Sequence, residues 1–202
     1  FDCTNIFVGE IGNRLLEGDV DFVVHSLKDV CTTVDERLVL CGFLERGDKR
    51  DCVIWSEKNL PLCNSISDTD KKIPGWSLKK LPPGATVGTS SPRRISQLKM
   101  FFPHLKFKSI RGNLHTRLQK LDDPKNGYDA IVMAYVGWKR LGETKRVSEI
   151  LPETLLMPPT GQGIIVAQCR SSDEAMIEIL SKISCIQSFC SAYLERWCLA
   201  GI

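Results

Sequence analysis

Residues 87–121, VGTSSPRRISQLKMFFPHLKFKSIRGNLHTRLQKL, contain no Asp or Glu and eight Lys or Arg. Their order reads strand, helix, strand, helix, and this stretch constrains the chain more than any other. An apolar strand over 87–89 runs into Ser90 and Ser91. Either can cap a helix, because a short side-chain oxygen accepts from an unpaired N–H. Pro92 suits the first helical position, where its missing N–H costs nothing. Ile95, Leu98 and Phe101 or Phe102 then recur at helical spacing. The scheme repeats with a strand over 107–110, a turn at Arg111-Gly112-Asn113, Asn113 as cap, and Leu114, Leu118 and Leu121 on one face. Two strand-to-helix turns thus place Arg beside N–H groups at a helix start. Such ends attract anions, and guanidinium adds two-pronged bonding to carboxylate or phosphate. Lys99, Lys106, Lys108 and Lys120 are read as a solvated face. Arg93, Arg94 and Arg111, at the turns themselves, are read as ligand-binding.

The chain's 202 residues suit one large domain or two small ones, and 43% hydrophobic residues suffice for a core. Net charge is only +3, so the basic stretch is local and the chain is no polycation. No apolar run approaches a membrane span. The nine Cys are dispersed, no CxxC occurs, and the three His are scattered. This predicts no zinc site, a reducing compartment and mostly buried thiols. The first residue is Phe1 and no signal peptide is visible, which leaves targeting open.

A helix is expected over 7–16, with Phe7, Ile11 and Leu15 on one face and Gly18 as its stop. A strand over 19–24 ends at His25-Ser26-Leu27-Lys28-Asp29-Val30. Polar residues directly after a buried strand belong at its carboxyl end, where α/β sheets bind ligands. Residues 38–44 and 52–55 read as strands. Residues 56–85, rich in Pro, Ser and Asp, read as a long surface loop with one short helix near 77–81. A buried strand is expected over 128–134, then a helical turn to Gly142, and a helix over 146–151 stopped by Pro152. Gly161-Gln162-Gly163 forms a turn into a strand over 164–169. There Gln162 is a hinge, a backbone anchor or a ligand contact. Helices over 173–183 and 185–202 follow, the last with Phe189, Tyr193 and Trp197 on one stripe.

VDFVVHSLKDV, VGTSSPRR, SIRGNLHTRLQKLD, YDAIVMA with GWKRLG, and the GQG turn together resemble the porphobilinogen deaminase, or hydroxymethylbilane synthase, family in order and nearly in spacing. The resemblance runs from about Phe7 to Arg196 and is specific through HS-x-KD, GTSS-x-RR and RGN-x-x-TR taken together. It implies an α/β fold of two periplasmic-binding-protein-like (type II) lobes with mixed sheets flanking a cleft. A third α+β domain would be largely missing. The implied division is 1–46 with 162–184, then 47–161, then 185–202 as the start of the third domain. The implied reaction joins four porphobilinogen molecules head to tail, releasing ammonia, on a dipyrromethane primer held through a thioether to Cys. Loss of ammonia leaves an electron-poor azafulvene, and the attacking pyrrole becomes positive in turn.

By resemblance Asp29 is the catalytic carboxylate. Arg93, Arg94, Arg111, Arg117 and Arg140 hold substrate and cofactor carboxylates with Lys28. Ser26, Thr89, Ser90, Ser91 and Gly112 complete the implied binding set, and no metal is implied. The partners implied are porphobilinogen and the growing polypyrrole, with a cytoplasmic monomer and neither nucleic acid nor membrane. His25, Ser26 and Asp29 do not form a hydrolase relay, since three neighbours at one strand end cannot take its geometry. Four departures stand out. The family's first strand and helix are absent. Gly9 replaces a Lys, and Cys31 replaces a Pro. No Gly-Gly-Cys cofactor turn follows Glu195-Arg196, and Cys198 is not in a matching motif. The expectation is therefore a fragment that lacks synthase activity alone. The alternatives are a cofactor-less two-lobed anion-binding paralogue and, less favoured by its core-like Phe101, Phe102 and Phe107, a nucleic-acid binder.

Overall fold

The computed structural model describes residues 6–201. Cys3 and the side chains of Phe7 and Cys63 lie outside the described residues. The chain divides into two compact units. Unit 1 comprises residues 1–48 and 159–202, and unit 2 comprises 49–158.

In unit 1, α1 (Ile6–Glu17) leads to β1 (Phe22–Ser26), a 3₁₀ turn at Leu27–Asp29, and β2 (Leu38–Phe43). Unit 2 opens with β3 (Asp51–Trp55) and three short helices, α2 (Leu60–Ser65), α3 (Asp68–Lys71) and α4 (Trp76–Lys79). It continues through β4 (Thr86–Gly88), α5 (Pro92–Phe101), β5 (Lys106–Lys108), α6 (Leu114–Asp122), β6 (Ala130–Ala134), α7 (Tyr135–Leu141) and β7 (Glu149–Ile150). The chain then returns to unit 1 for β8 (Ile165–Arg170), α8 (Glu174–Ser181) and α9 (Ile186–Ala200).

The sheet of unit 1 has the order β1-β8-β2 and is antiparallel among the described residues. On one face Leu27, Phe43, Ile164 and Val166 pack with Ala192 of α9. On the other, Cys41, Ala167 and Cys169 pack with Leu180 of α8. The inward side of α8 is Met176, Ile177 and Leu180, whereas Ile179 and Ile183 are exposed. The aromatic stripe of α9 is covered only at its start. Phe189 stands edge-on to Phe43 at 5.4 Å, while Tyr193 and Trp197 are largely exposed.

Unit 2 holds a mixed sheet of order β5-β4-β6-β3-β7, with β4 parallel to β5 and β6, and β3 antiparallel to β6 and β7. Its central strands are buried on both faces. Val53, Trp55, Val87 and Val132 face one cluster; Cys52, Ile54, Ile131 and Met133 face the other. Full burial of such a side chain contributes about 1.5–3 kcal/mol, so this sheet anchors the unit.

The structure departs from expectation in two segments. Residues 56–85 are not a surface loop: they form three short helices, and Trp76, Leu78, Leu81 and Ala85 are core residues. The cause is polar as well as apolar. The buried Glu149 carboxylate accepts from the Gly75 N–H at 2.6 Å, the Ser77 N–H at 2.9 Å and the Ser77 hydroxyl at 2.6 Å. Residues 146–151 are not a helix. Glu149 and Ile150 pair with Val53 and Cys52, and pairing with a buried strand outweighs local propensity. Phe101 is about half exposed, beside the buried Phe102. Among the described thiols Cys41, Cys52 and Cys169 are buried, but Cys190 and Cys198 ride on the exposed side of α9.

Candidate functional site

In unit 1 the candidate residues gather at the carboxyl end of β1. Ser26 is the last strand residue and is half-buried. Leu27 is buried, and its N–H donates to the Ile164 carbonyl at 3.0 Å. With Leu27 pinned inward, the 3₁₀ turn presents Lys28 and Asp29 on the exposed side. Lys28 Nζ donates to Gln162 Oε1 at 3.4 Å. The buried His25 ring meets Gln168 Oε1 at 3.3 Å. Sequence reasoning gave neither glutamine a partner.

In unit 2 both predicted caps form. The Ser91 hydroxyl accepts from the Arg94 N–H at 3.5 Å, and Asn113 Oδ1 accepts from the Thr116 N–H at 2.8 Å. The residues before α5 brace one another. Thr89 is buried, and its hydroxyl accepts from the Ser91 N–H at 3.3 Å. The Ser90 hydroxyl donates to the Ile110 carbonyl at 2.8 Å and accepts from the Ile110 N–H at 3.0 Å. The two strand-to-helix turns are thereby tied together.

The arginines divide into two kinds. Arg94 is buried, and its Nε and Nη2 clasp the Asp51 carboxylate at 3.1 and 2.8 Å. Its Nη1 donates to the Val132 carbonyl at 3.2 Å. Arg93 Nη2 reaches the same carboxylate at 2.6 Å, and its Nη1 donates to the Met157 carbonyl. Burial pushes the Asp51 carboxyl up, but the charges and hydrogen bonds of Arg94 and Arg93 outweigh it and hold the pKa below its ordinary value. Asp51 was missed from the sequence. Its signal was indirect: a stretch with no acid of its own must take counter-charge from elsewhere.

Arg111 is exposed and Arg117 half-buried, and among the described residues neither has a carboxylate partner. Arg117 Nε donates to the Gly112 carbonyl at 2.7 Å, which orients the guanidinium along the turn. Burial lowers the Arg117 pKa, and the like charges of Arg94 and Arg111 lower it further. The charges of Arg94 and Arg111 thus bear on Arg117, while the Asp51 carboxylate pairs with Arg93 and Arg94. This donor set suits a ligand bearing several carboxylates. Arg140 is exposed in the last turn of α7, which closes at Gly142 with φ 74°. Among the described residues no group of three His, Cys, Asp or Glu could hold a metal, and no helix is long and apolar enough to cross a membrane.

Residues 1–178 match the family model described as porphobilinogen deaminase, dipyromethane cofactor binding domain. The chain is 36% identical over 191 residues to a porphobilinogen deaminase of Dictyostelium discoideum, covering 95% of this chain and 55% of that protein. It is 41% identical over 175 residues to that of Chlorobium chlorochromatii, covering 87% and 50%. To that of Saccharomyces cerevisiae it is 38% identical over 195 residues, covering 95% and 55%. It thus spans about half the length of the curated relatives it matches. With a family model matching residues 1–178, most of its length, the chain belongs to the porphobilinogen deaminase family.

Proposed function

We propose that this chain carries the carboxylate-binding and proton-handling residues of a hydroxymethylbilane synthase, a transferase that condenses four porphobilinogen molecules head to tail with release of ammonia. The observation that carries the proposal is the turn that holds Arg111 and Arg117, where Arg117 Nε is braced on the Gly112 carbonyl at 2.7 Å and no carboxylate among the described residues pairs with either guanidinium. Each pyrrole bears acetate and propionate, so the growing chain is a polyanion. Arg111 and Arg117 meet those carboxylates directly, Arg93 and Arg140 extend the set, and Arg94 adds its field while held by Asp51. Thr89, Ser90, Ser91 and Gly112 shape the turns that orient these groups. In unit 1, Ser26 and Lys28 supply a hydroxyl and an ammonium for ligand carboxylates.

Asp29 receives a hydrogen bond from a pyrrole N–H. Its carboxylate stabilises the positive charge that develops as ammonia leaves porphobilinogen, then takes up a proton after the attacking pyrrole becomes positive. A dipyrromethane, when bound, supplies the pyrrole end to which substrate is added, and its carboxylates fit the Arg111 and Arg117 donors. The 202 residues contain no Gly-Gly-Cys turn, and Cys198 is not assigned to attachment. The protein acts as a monomer in a reducing compartment such as the cytoplasm, on a small polyanion and not on nucleic acid or membrane.

Porphobilinogen binding, Ehrlich staining and intact mass test the proposal. The 202-residue chain is expected to bind porphobilinogen without sustained conversion. A version spanning the full length of the relatives is expected to turn it over. In that version Asp29→Asn should leave the melting temperature unchanged and reduce turnover at least about 100-fold. Near-normal turnover would remove Asp29 from the mechanism. Binding without any covalent pyrrole mass in the longer protein would identify an anion-binding paralogue.

A further inference from the structure

We infer that Glu195 of α9 is a positioning residue: through Arg46 and the Gly161-Gln162-Gly163 turn it sets the ammonium of Lys28. The inference deepens the assignment of Lys28 to ligand carboxylates and rests on it. Glu195 Oε1 and Oε2 accept from Arg46 Nη1 and Nη2 at 2.5 and 3.2 Å. Oε2 also accepts from the Gly161 N–H at 2.8 Å. Arg46 Nε donates to the Gln162 carbonyl at 2.9 Å. One ion pair therefore holds both sides of a single peptide turn, with the Gly47 N–H closing the third tie to the Gly163 carbonyl at 3.0 Å.

The turn cannot move freely within this clamp. Gly161 and Gly163 have φ of 70° and 94°, and a Cβ on Gly163 would lie 2.5 Å from the Gly47 carbonyl oxygen. Only glycine combines that backbone with that approach. Gln162, between them, is fully buried, so its side chain has little room for a second rotamer. Its Oε1 is the acceptor facing Lys28 Nζ at 3.4 Å. Lys carries large rotamer entropy, and a fixed acceptor that selects one conformer lowers the ordering cost when a carboxylate arrives. The Arg46 and Glu195 side chains are 17% and 32% exposed, so the pair is partly shielded and bidentate, unlike a loose surface pair.

The test uses the 202-residue chain with 13Cε-labelled lysine. The Lys28 resonance is identified by its loss in Lys28→Met. Glu195→Gln and, separately, Gln162→Met are expected to shift that resonance. Lys120, whose Nζ bonds the Arg111 carbonyl in unit 2, should not move. In porphobilinogen titrations Glu195→Gln should weaken binding roughly fivefold when Lys28 is present and have no further effect in a Lys28→Met background. A Lys28 resonance unmoved in Glu195→Gln, or equal weakening with and without Lys28, overturns the inference. If Lys28→Met leaves porphobilinogen binding intact while Glu195→Gln still moves the Lys28 resonance, the ligand role of Lys28 falls and the positioning stands. Should Glu195→Gln fail to fold, Glu195→Asp, which keeps the charge but shortens the reach to Arg46 and the Gly161 N–H, carries the same comparison.

Discussion

With its carboxylate fully buried, Asp51 draws Arg93 and Arg94 inward and leaves Arg111 and Arg117 facing outward. Removing that one negative charge strands two guanidinium groups. Asp51→Asn should lower stability by about 3–5 kcal/mol in urea denaturation, the range for breaking a buried pair. The pH dependence has a definite sign. The Asp51 pKa is depressed in the folded protein, so its contribution is present above the unfolded carboxylate value and is lost as pH falls through the folded one. Glu149 acts oppositely. Burial raises its pKa although Ser77 and Gly75 donate to it. The folded protein then retains a proton that the unfolded chain releases, and this contribution is lost as pH rises through the folded pKa. Glu149→Gln should flatten the stability profile just above the ordinary carboxylate range, as read by urea midpoints. The thiols obey similar logic. Burial, with Cys169 3.4 Å away, pushes Cys41 up to about 12. Iodoacetamide at pH 8 should therefore label the exposed Cys190 and Cys198 long before Cys41; peptide mapping would reveal any reversal.

At the level of elements, what the sequence made legible was whatever a few neighbouring residues decide. Helices α5 and α6 start where Ser91 and Asn113 place their caps, because donor and acceptor lie three residues apart. Asn113→Ala should accordingly lower stability by about 1 kcal/mol, measured by thermal melting. Residues 56–85 were illegible because their organising acceptor, Glu149, lies more than sixty residues downstream. Strand β7 has two residues, too few for any period, and exists because β3 offers it an edge. The candidate site shows the same division. Arg111 could be named from the turn it occupies, whereas Arg117, inside α6, was named only through the family resemblance. Asp51, Arg46 and Glu195 could not be named, since each acts on a partner distant in the chain.

As a whole molecule, the chain contains one unit built from a single continuous segment. Residues 49–158 carry both large apolar clusters of the mixed sheet and the Asp51 ion pair. Expressed alone, this segment should unfold cooperatively in urea and show dispersed amide resonances; a collapsed, undispersed spectrum would contradict its independence. Unit 1 has no such option, because its middle strand β8 is threaded between β1 and β2 from the far end of the sequence. About 120 residues separate the end of β2 from the start of β8. On the ribosome, β1 and β2 therefore emerge with no strand to lie between them and must wait through the synthesis of the entire mixed-sheet unit. Vectorial synthesis thus leaves β1 and β2 unpaired until β8 emerges, and places a demand for chaperone shelter on these two strands in the interval.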